Sequence, residues 1–539
     1  MMRIFIVVSL LFLLIQGLTA QIAQEKIDSL ALAQIRDEGM IRSQVMDYLG
    51  YLTDIYGPRL SGSPAYKAAA DWARSKLESL GLSDAHLEAW GPFGRGWTLK
   101  RYSANVIGRQ VFPLISYPEA WSPGTGGTVT ADIVYVDAKT DSTLDTYRGK
   151  LKGKFVLLGD PREVKPHFEP EAMREADSSL LKMANADLQR RFGGGRRFEN
   201  SPERRARALL EFYKMELCQK EGVAGILTPS RGDGGNVFVQ QASIPQHPDT
   251  PRTRQMSVRD PKAPKYPLQI SVGAEHYNRL VRMIQKGERP KLELDLEVNF
   301  NKADSGYNII AEIPGSDLKD EIVMIGGHFD SWHGGTGATD NGTGTAVCME
   351  AMRILKKLDL KPRRTIRIGL WDAEEWGFLG SRAYVTKHFA EREGSQGDQG
   401  GEVKYKPEGE KFSVYFNNDN GAGRVRGVYM QGNEAVRPIF RAWLKPFADL
   451  GASTLTPQNT GGTDHQTFDG LGLPGFQFIQ DDIDYFSKTH HATMDLYERV
   501  PPEDLKQAAV IMAAFAYEAA MREAKIPRKP LQQPRQGNL

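Results

Sequence analysis

Apolar residues recur at helical spacing near the start of the chain, and the spacing then changes twice. Residues 25–90 read as helical, with Ala69, Trp72, Ala73, Leu77 and Leu80 on one face suited to a core. Just before that face, Gly57-Pro58-Arg59-Leu60-Ser61-Gly62-Ser63-Pro64 is a turn-rich loop carrying its own cap signal. From about 119 the texture becomes short alternating runs, and strands are expected at 129–136 and 154–158. A charged helical stretch at 169–220 interrupts them. Strand-like segments return at 224–227, 237–239 and 268–272. From about 305, strand and helix alternate. Strands are expected at 308–313, 321–325, 364–370, 413–416 and 475–479. A helix is expected over 343–358, with Val347, Ala351, Ile354, Leu355 and Leu358 on its inner face. Such alternation marks an α/β sheet.

These changes of period divide the chain. Residues 24–118 and 301–525 read as one discontinuous α/β domain, a mixed sheet flanked by helices. Residues 119–300 read as a β-rich domain inserted in one of its loops, and 526–539 as a disordered Pro-, Gln- and Arg-rich tail. A length of 539 residues suits this division into two folded units.

Composition removes several function classes. The formal net charge of +2 sets up no field that would draw nucleic acid, and there is no P-loop, paired CxxC or long basic tract. At the N-terminus, Arg3 precedes an apolar run over 4–15, followed by Gln16-Gly17-Leu18-Thr19-Ala20. That run is shorter than the roughly 20 residues of a bilayer span, so 1–20 reads as a secretory signal peptide. The expected chain is therefore secreted or periplasmic, with no membrane span after cleavage. Cys218 and Cys348 fall in different domains and are expected as buried free thiols, which leaves no cysteine nucleophile.

Five segments end or follow an expected strand with a side chain able to hold a metal, the position where open α/β sheets gather ligands. They are Gly326-Gly327-His328-Phe329-Asp330, Gly337-Ala338-Thr339-Asp340-Asn341-Gly342, Leu370-Trp371-Asp372-Ala373-Glu374-Glu375, Asn417-Asn418-Asp419, and Thr489-His490-His491-Ala492-Thr493-Met494-Asp495. Asp330 is a candidate catalytic residue beside Glu374, suited to orient the His328 ring or to order the metal site. Adjacent carboxylates diverge, so Glu374 and Glu375 are expected to do different jobs. Two other motifs are discounted: Arg231-Gly232-Asp233 as a chance tripeptide in a turn, and the Gly-rich 190–197 as an exposed loop.

Together these segments resemble the co-catalytic zinc aminopeptidase and carboxypeptidase family, most of all its plasma glutamate carboxypeptidase branch. His328-Phe329-Asp330-Ser331-Trp332, the stretch 364–375 and the Gly57–Ser63 loop carry that resemblance. It implies a zinc exopeptidase sheet of the phosphorylase/hydrolase-like kind with a protease-associated (PA-like) insert. It also implies two zinc ions per chain, held by His328, Asp340, Glu375, Asp419 and His491, with Asp340 bridging. A metal-bridged hydroxide would attack a short peptide with a free N-terminus, Glu374 would be the general base, and a homodimer is suggested. His491 is preferred to His490 because its spacing to Asp495 matches the family's. Asn417 and Leu496 depart from residues common there. Two alternatives remain open on the same residues, an inactive receptor-like relative and a single-zinc glutaminyl cyclase.

Overall fold

The computed structural model describes residues 25–187, 201–393 and 401–531. The expected signal peptide, the 190–197 loop and most of the expected disordered tail lie outside the described residues.

There are two eight-stranded sheets, and the one with slightly more residues comprises β1 (Ser83–Trp90), β2 (Gly306–Ile313), β3 (Leu318–His328), β4 (Arg364–Trp371), β5 (Phe412–Asn417), β6 (Val425–Tyr429), β7 (Thr454–Thr456) and β8 (Gly475–Gln480). Their spatial order is β1-β2-β4-β3-β5-β8-β6-β7. The four central strands, β4, β3, β5 and β8, run parallel. The outer pairs β1–β2, β2–β4 and β6–β8 are antiparallel. The five strands expected from the apolar runs are therefore present, and the sheet is mixed. Parallel strands at the centre must be covered on both faces. Accordingly β5 is buried throughout and β3 from Ile322 onward.

Four helices matter for placing the site. These are α1 (Ser29–Ile41), α2 (Pro64–Ser79), α3 (Thr343–Lys357) and α4 (Pro502–Met521). Helix α2 starts where Ser63 accepts the Tyr66 N–H and Pro64 takes the first turn, a position that needs no donor. It buries Tyr66, Ala69, Ala70, Ala73 and Leu77, with Trp72 and Leu80 only partly covered. Helix α3 is buried over nearly its whole length, packed against β3, β4, α1 and α4, and α4 itself lies on the sheet beside it.

Two expectations are corrected. Residues 83–90 are the edge strand β1, not helix. Their Ala, Leu and Glu content favours helix, yet the apolar positions Ala85 and Leu87 recur at period two and pack on the core. The second sheet also begins earlier than residue 119. It includes Gly94–Ile107 paired along its length with Lys291–Ala303. Parallel strands Val129–Tyr135, Phe155–Leu157, Gly225–Pro229 and Gln269–Val272 complete its centre. Helices Pro202–Glu221 and Ala274–Gln285 accompany it, the first within the charged helical stretch expected at 169–220.

An aromatic seam joins the two units. Trp376 packs on Trp332, Trp121 and Phe93 with ring centroids 5.0, 5.5 and 5.8 Å apart. The smaller sheet is thereby fixed against the loops that follow β3 and β4. Cys218 and Cys348 are both free and buried.

Candidate metal centre

The parallel strands β3, β4 and β5 finish at one edge and deliver polar residues to one cluster. His328 is the last residue of β3. Its Nδ1 meets the backbone carbonyl of Asp330 at 3.0 Å. With Nδ1–H donating there, Nε2 presents a lone pair. Nε2 lies 3.2 Å from Asp340 Oδ1 and 3.4 Å from Asp419 Oδ1.

Asp340 sits in the irregular turn that opens α3. Asp495 holds that turn, accepting the Thr339 N–H at 2.6 Å and the Asp340 N–H at 3.2 Å. Gly344 is required in the next turn, since a Cβ there would stand 2.0 Å from the Asn418 carbonyl. The start of α3 is thereby pressed onto the loop that carries Asp419. The second oxygen of Asp340 faces the other way, with Oδ2 3.3 Å from His491 Nε2. Glu375 Oε2 lies 3.0 Å from the same nitrogen.

The structure thus brings His328, Asp340 and Asp419 into one group, and places Asp340, His491 and Glu375 in a second that shares Asp340. His490 also reaches the second group, but its Nε2 is 4.0 Å from Asp340 Oδ2. Its ring stacks on His491 with centroids 3.7 Å apart. His491 is the nearer of the two. Its φ of 62° is unusual for a side chain with a Cβ.

Glu374 is buried beside the cluster, and its backbone N–H donates to Asp330 Oδ1 at 3.1 Å. The same Asp330 carboxylate oxygen lies 3.6 Å from His328 Nδ1. The His328 ring is oriented by the Asp330 main chain, while the Asp330 carboxylate positions Glu374.

Burial and mutual repulsion dominate the electrostatics. Burial, then Asp419, Asp464 and Glu375, pushes the Glu374 carboxyl well above its ordinary range, against the pull of His328. Burial, with Asp340 adding repulsion, raises Glu375 to about 7. Asp495 is raised to about 7 by the same two causes. Burial opposes a charged His328 ring, but Asp419 and Glu374 outweigh it and draw its pKa well upward. Burial alone would raise Asp340, yet the His328 hydrogen bond and the nearby imidazoles take it below its usual value.

Asp340 Oδ2, Glu374 Oε1, Glu375 Oε1 and Asp330 Oδ2 are buried without a hydrogen-bond partner. Buried carboxylates are tolerated when paired or when they coordinate a cation. Unpaired oxygens, imidazole lone pairs and converging carboxylates together fit a divalent metal. The third group among the described residues able to hold a metal, His167, Glu171 and Asp233, is more exposed. Its Glu171 is already taken by Lys488 at 2.5 Å.

Several contributors were not singled out from the sequence. Arg59 is wholly buried and donates to the carbonyls of Phe329, Leu52, Thr336 and Gly337 at 2.7–3.0 Å. It staples the loop after β3 to the turn before α3. The Gly57–Ser63 loop is legible in the sequence as a turn, but a chain of main-chain acceptors has no sequence signal. Asp464, next to His465, accepts from Ser381 at 2.6 Å and is raised to about 7 by burial. His465 itself bonds to Gln431 and belongs to none of the metal groups.

Most unexpected is the smaller sheet's share. Gln240 places its amide 2.8 Å from His491 Nδ1. Val239 N–H donates to the His491 carbonyl at 2.9 Å, and Thr493 N–H to the Val237 carbonyl at the same distance. The segment expected as a strand at 237–239 instead forms a single bridge, Phe238 to Ala492, onto this loop. Arg231 and Asp233 of the discounted tripeptide also make specific contacts, Arg231 with the His490 carbonyl and Asp233 with His167.

Residues 308–516 match the family model Peptidase family M28. Over 91% of its length the chain is 25% identical to carboxypeptidase Q of Mus musculus, covering 88% of that protein. Aminopeptidase YwaD of Bacillus subtilis is 30% identical over 38% of this chain and 42% of its own. Among solved structures, a peptidase M28 precursor from Shewanella amazonensis SB2B aligns with TM-score 0.63 and 25% identity, over 93% of this chain and 98% of that one. A zinc aminopeptidase from Bacillus subtilis aligns with TM-score 0.53 and 18% identity, over 89% and 96% of the two chains.

Proposed function

We propose that this chain, a metallopeptidase carrying a peptidase family M28 domain, is a secreted two-zinc exopeptidase that cleaves short peptides with a free N-terminus. His328 and Asp419 would hold one zinc ion, His491 and Glu375 the other, and Asp340 both. When bound, such a pair supplies a Lewis acid for the scissile carbonyl and lowers the pKa of water toward neutrality.

One observation carries the reading. The two oxygens of Asp340 face different imidazoles, Oδ1 at 3.2 Å from His328 and Oδ2 at 3.3 Å from His491. A carboxylate serving a single ion or a helix cap has no reason to be shared in this way.

Glu374 would act as the general base. Its backbone is anchored by Asp330, and one carboxylate oxygen is buried and free. It takes a proton from the attacking water and returns it to the leaving nitrogen as the C–N bond breaks. Cations beside it offset the repulsion that otherwise keeps its carboxyl protonated. The smaller sheet, with its bridge to the His491 loop, would be a PA-like insert that covers the site and limits substrate length. The apolar run at 4–15 supports export by a signal peptide. Among the described residues no helix is long and apolar enough to cross a membrane.

Metal analysis by mass spectrometry, combined with a panel of dipeptides, N-blocked peptides and C-amidated peptides, tests this function. Two zinc equivalents and chelator-sensitive cleavage of free-amino substrates are expected. One equivalent with pyroglutamate formation would indicate a cyclase, and no zinc a receptor-like chain. Preference for N-blocked substrates would reverse the direction of attack.

A further inference from the structure

The end of strand Ser116–Pro118 in the smaller sheet serves both loops that frame the metal cluster. The Pro118 carbonyl accepts from His333 Nε2 at 2.7 Å, in the loop that follows β3. The next residue, Glu119, accepts the Gln240 N–H on Oε2 at 2.9 Å. Gln240 in turn sets its side-chain amide 2.8 Å from His491 Nδ1. Glu119 itself is rooted in the sheet, its N–H donating to the Gln269 carbonyl and its carbonyl accepting the Ser122 N–H, both at 3.0 Å. Burial lifts its carboxyl to about 7, and the Gln240 N–H pulls against that rise.

The two imidazoles are oriented by different means. His328 Nδ1 meets the Asp330 carbonyl, an acceptor two residues away in its own loop. His491 Nε2 faces Asp340 and Glu375, so as a ligand its ring carries the proton on Nδ1. The Gln240 amide, turned oxygen-first, is the acceptor that fixes that ring and tautomer. A glutamine side chain has several rotatable bonds, so it can hold a ring only if its own main chain is held. Here that main chain is tied on both sides. The Gln240 carbonyl accepts the Ala120 N–H at 2.8 Å, and Glu119 takes the Gln240 N–H.

We infer that Glu119 is a positioning residue, which holds the Gln240 main chain so that its amide stays on His491 and thereby sets how tightly the second metal is bound. The inference rests on the two-zinc reading and names the residue through which the smaller sheet acts on the group formed by Asp340, His491 and Glu375. Without the Glu119 carboxylate the Gln240 N–H loses its acceptor, and the His491 ring loses a fixed partner. The group formed by His328, Asp340 and Asp419 is oriented from its own loop and keeps its metal.

The test titrates zinc against a chelator in the full chain and its variants. Losing a partner that orients a ligand weakens metal binding by about 10- to 100-fold, and Glu119→Ala, one contact further out, should weaken one equivalent by about 10-fold and spare the other. Glu119→Gln keeps an acceptor oxygen and restores binding close to the wild type. Glu119→Asp, one methylene shorter, gives a smaller loss of the same pattern. In the double variant with Gln240→Ala, Glu119→Ala adds little, because the two residues act in series. In nuclear magnetic resonance spectra of the zinc-loaded protein, the His491 Nδ1–H signal is lost in Glu119→Ala and kept in Glu119→Gln. Unchanged binding in Glu119→Ala overturns the inference, as do additive losses in the double variant, equal weakening of both equivalents, or a Glu119→Gln variant as weak as Glu119→Ala. A wild type that binds fewer than two zinc ions overturns the two-zinc reading first and the inference with it, whereas the other outcomes overturn the inference alone.

Discussion

The two halves of the metal cluster are built on different foundations. His328, Asp340 and Asp419 have side chains 1%, 6% and 7% exposed, and they sit at the end of β3, at the entry to α3 and just after β5. Their placement follows from the parallel sheet and from the helix packed on it. His491 is 15% exposed and lies in a loop with a left-handed backbone, held by the main chain of residues 237–239 and by the Gln240 amide. The inner half is therefore organised by one domain alone. The outer half is assembled only where the two units meet, so its metal affinity should respond to changes in the smaller sheet that leave the inner half untouched.

The strongest way to break this comparison is at Glu374, between the halves. Glu374→Gln should cut turnover by roughly 10²–10⁴-fold while leaving metal content as in the wild type. Full turnover in that variant would remove Glu374 as the base.

Next in size is Arg59, the staple of the inner half. Arg59→Ala leaves four main-chain carbonyls without their donor and should cost on the order of 4 kcal/mol of stability, read by denaturant unfolding. An unchanged midpoint would show that water replaces the guanidinium and that the inner half does not depend on it.

The outer half is probed by Gln240→Ala. Chelator competition should show one zinc equivalent weakened by about 10- to 100-fold and the other held as before. Equal weakening of both would erase the distinction between the halves.

The smallest effect concerns pH. In the metal-free protein Glu374 and Glu375 have pKa values above the ordinary carboxyl value, Glu375 at about 7. Between the unfolded value of 4.5 and that folded value, the folded state binds more protons than the unfolded chain. Stability contributed by these groups is then complete below the unfolded pKa and is lost as pH rises through the folded one. Thermal midpoints of the metal-free protein should fall from about pH 4.5 toward 7, and zinc should reverse the trend with release of protons. Calorimetry in buffers of different ionisation heat reads that release directly. No proton release would mean that the carboxyls are already ionised.

How much of this was legible depends on range. The strands ending in His328 and Trp371 were readable because buried parallel strands are continuous apolar runs, and a sheet gathers functional residues at their ends. The edge strand β1 was not, because its Ala, Leu and Glu favour helix while its pairing to β2 decides otherwise. The strand from Gly94 was passed over for a related reason: its partner, Lys291–Ala303, lies nearly two hundred residues later, and nothing local announces the pairing. The role of Asp330 was half readable. The spacing to His328 placed it near the ring, but only the turn after β4, with Ala373 at a φ of 58°, brings the Glu374 N–H to its carboxylate.

By itself the sequence determined the alternation of strand and helix, the residue types able to hold a metal and the strand ends from which they project. All of these follow from local periodicity and side-chain chemistry. Tertiary structure alone decided that Asp340 faces two imidazoles, that Arg59 pins the loops beneath them, and that Gln240 and Arg231 reach the cluster from another sheet. The physical reason is that a hydrogen bond or ion pair between distant segments depends on where both ends are carried by packing, and neither end encodes the other.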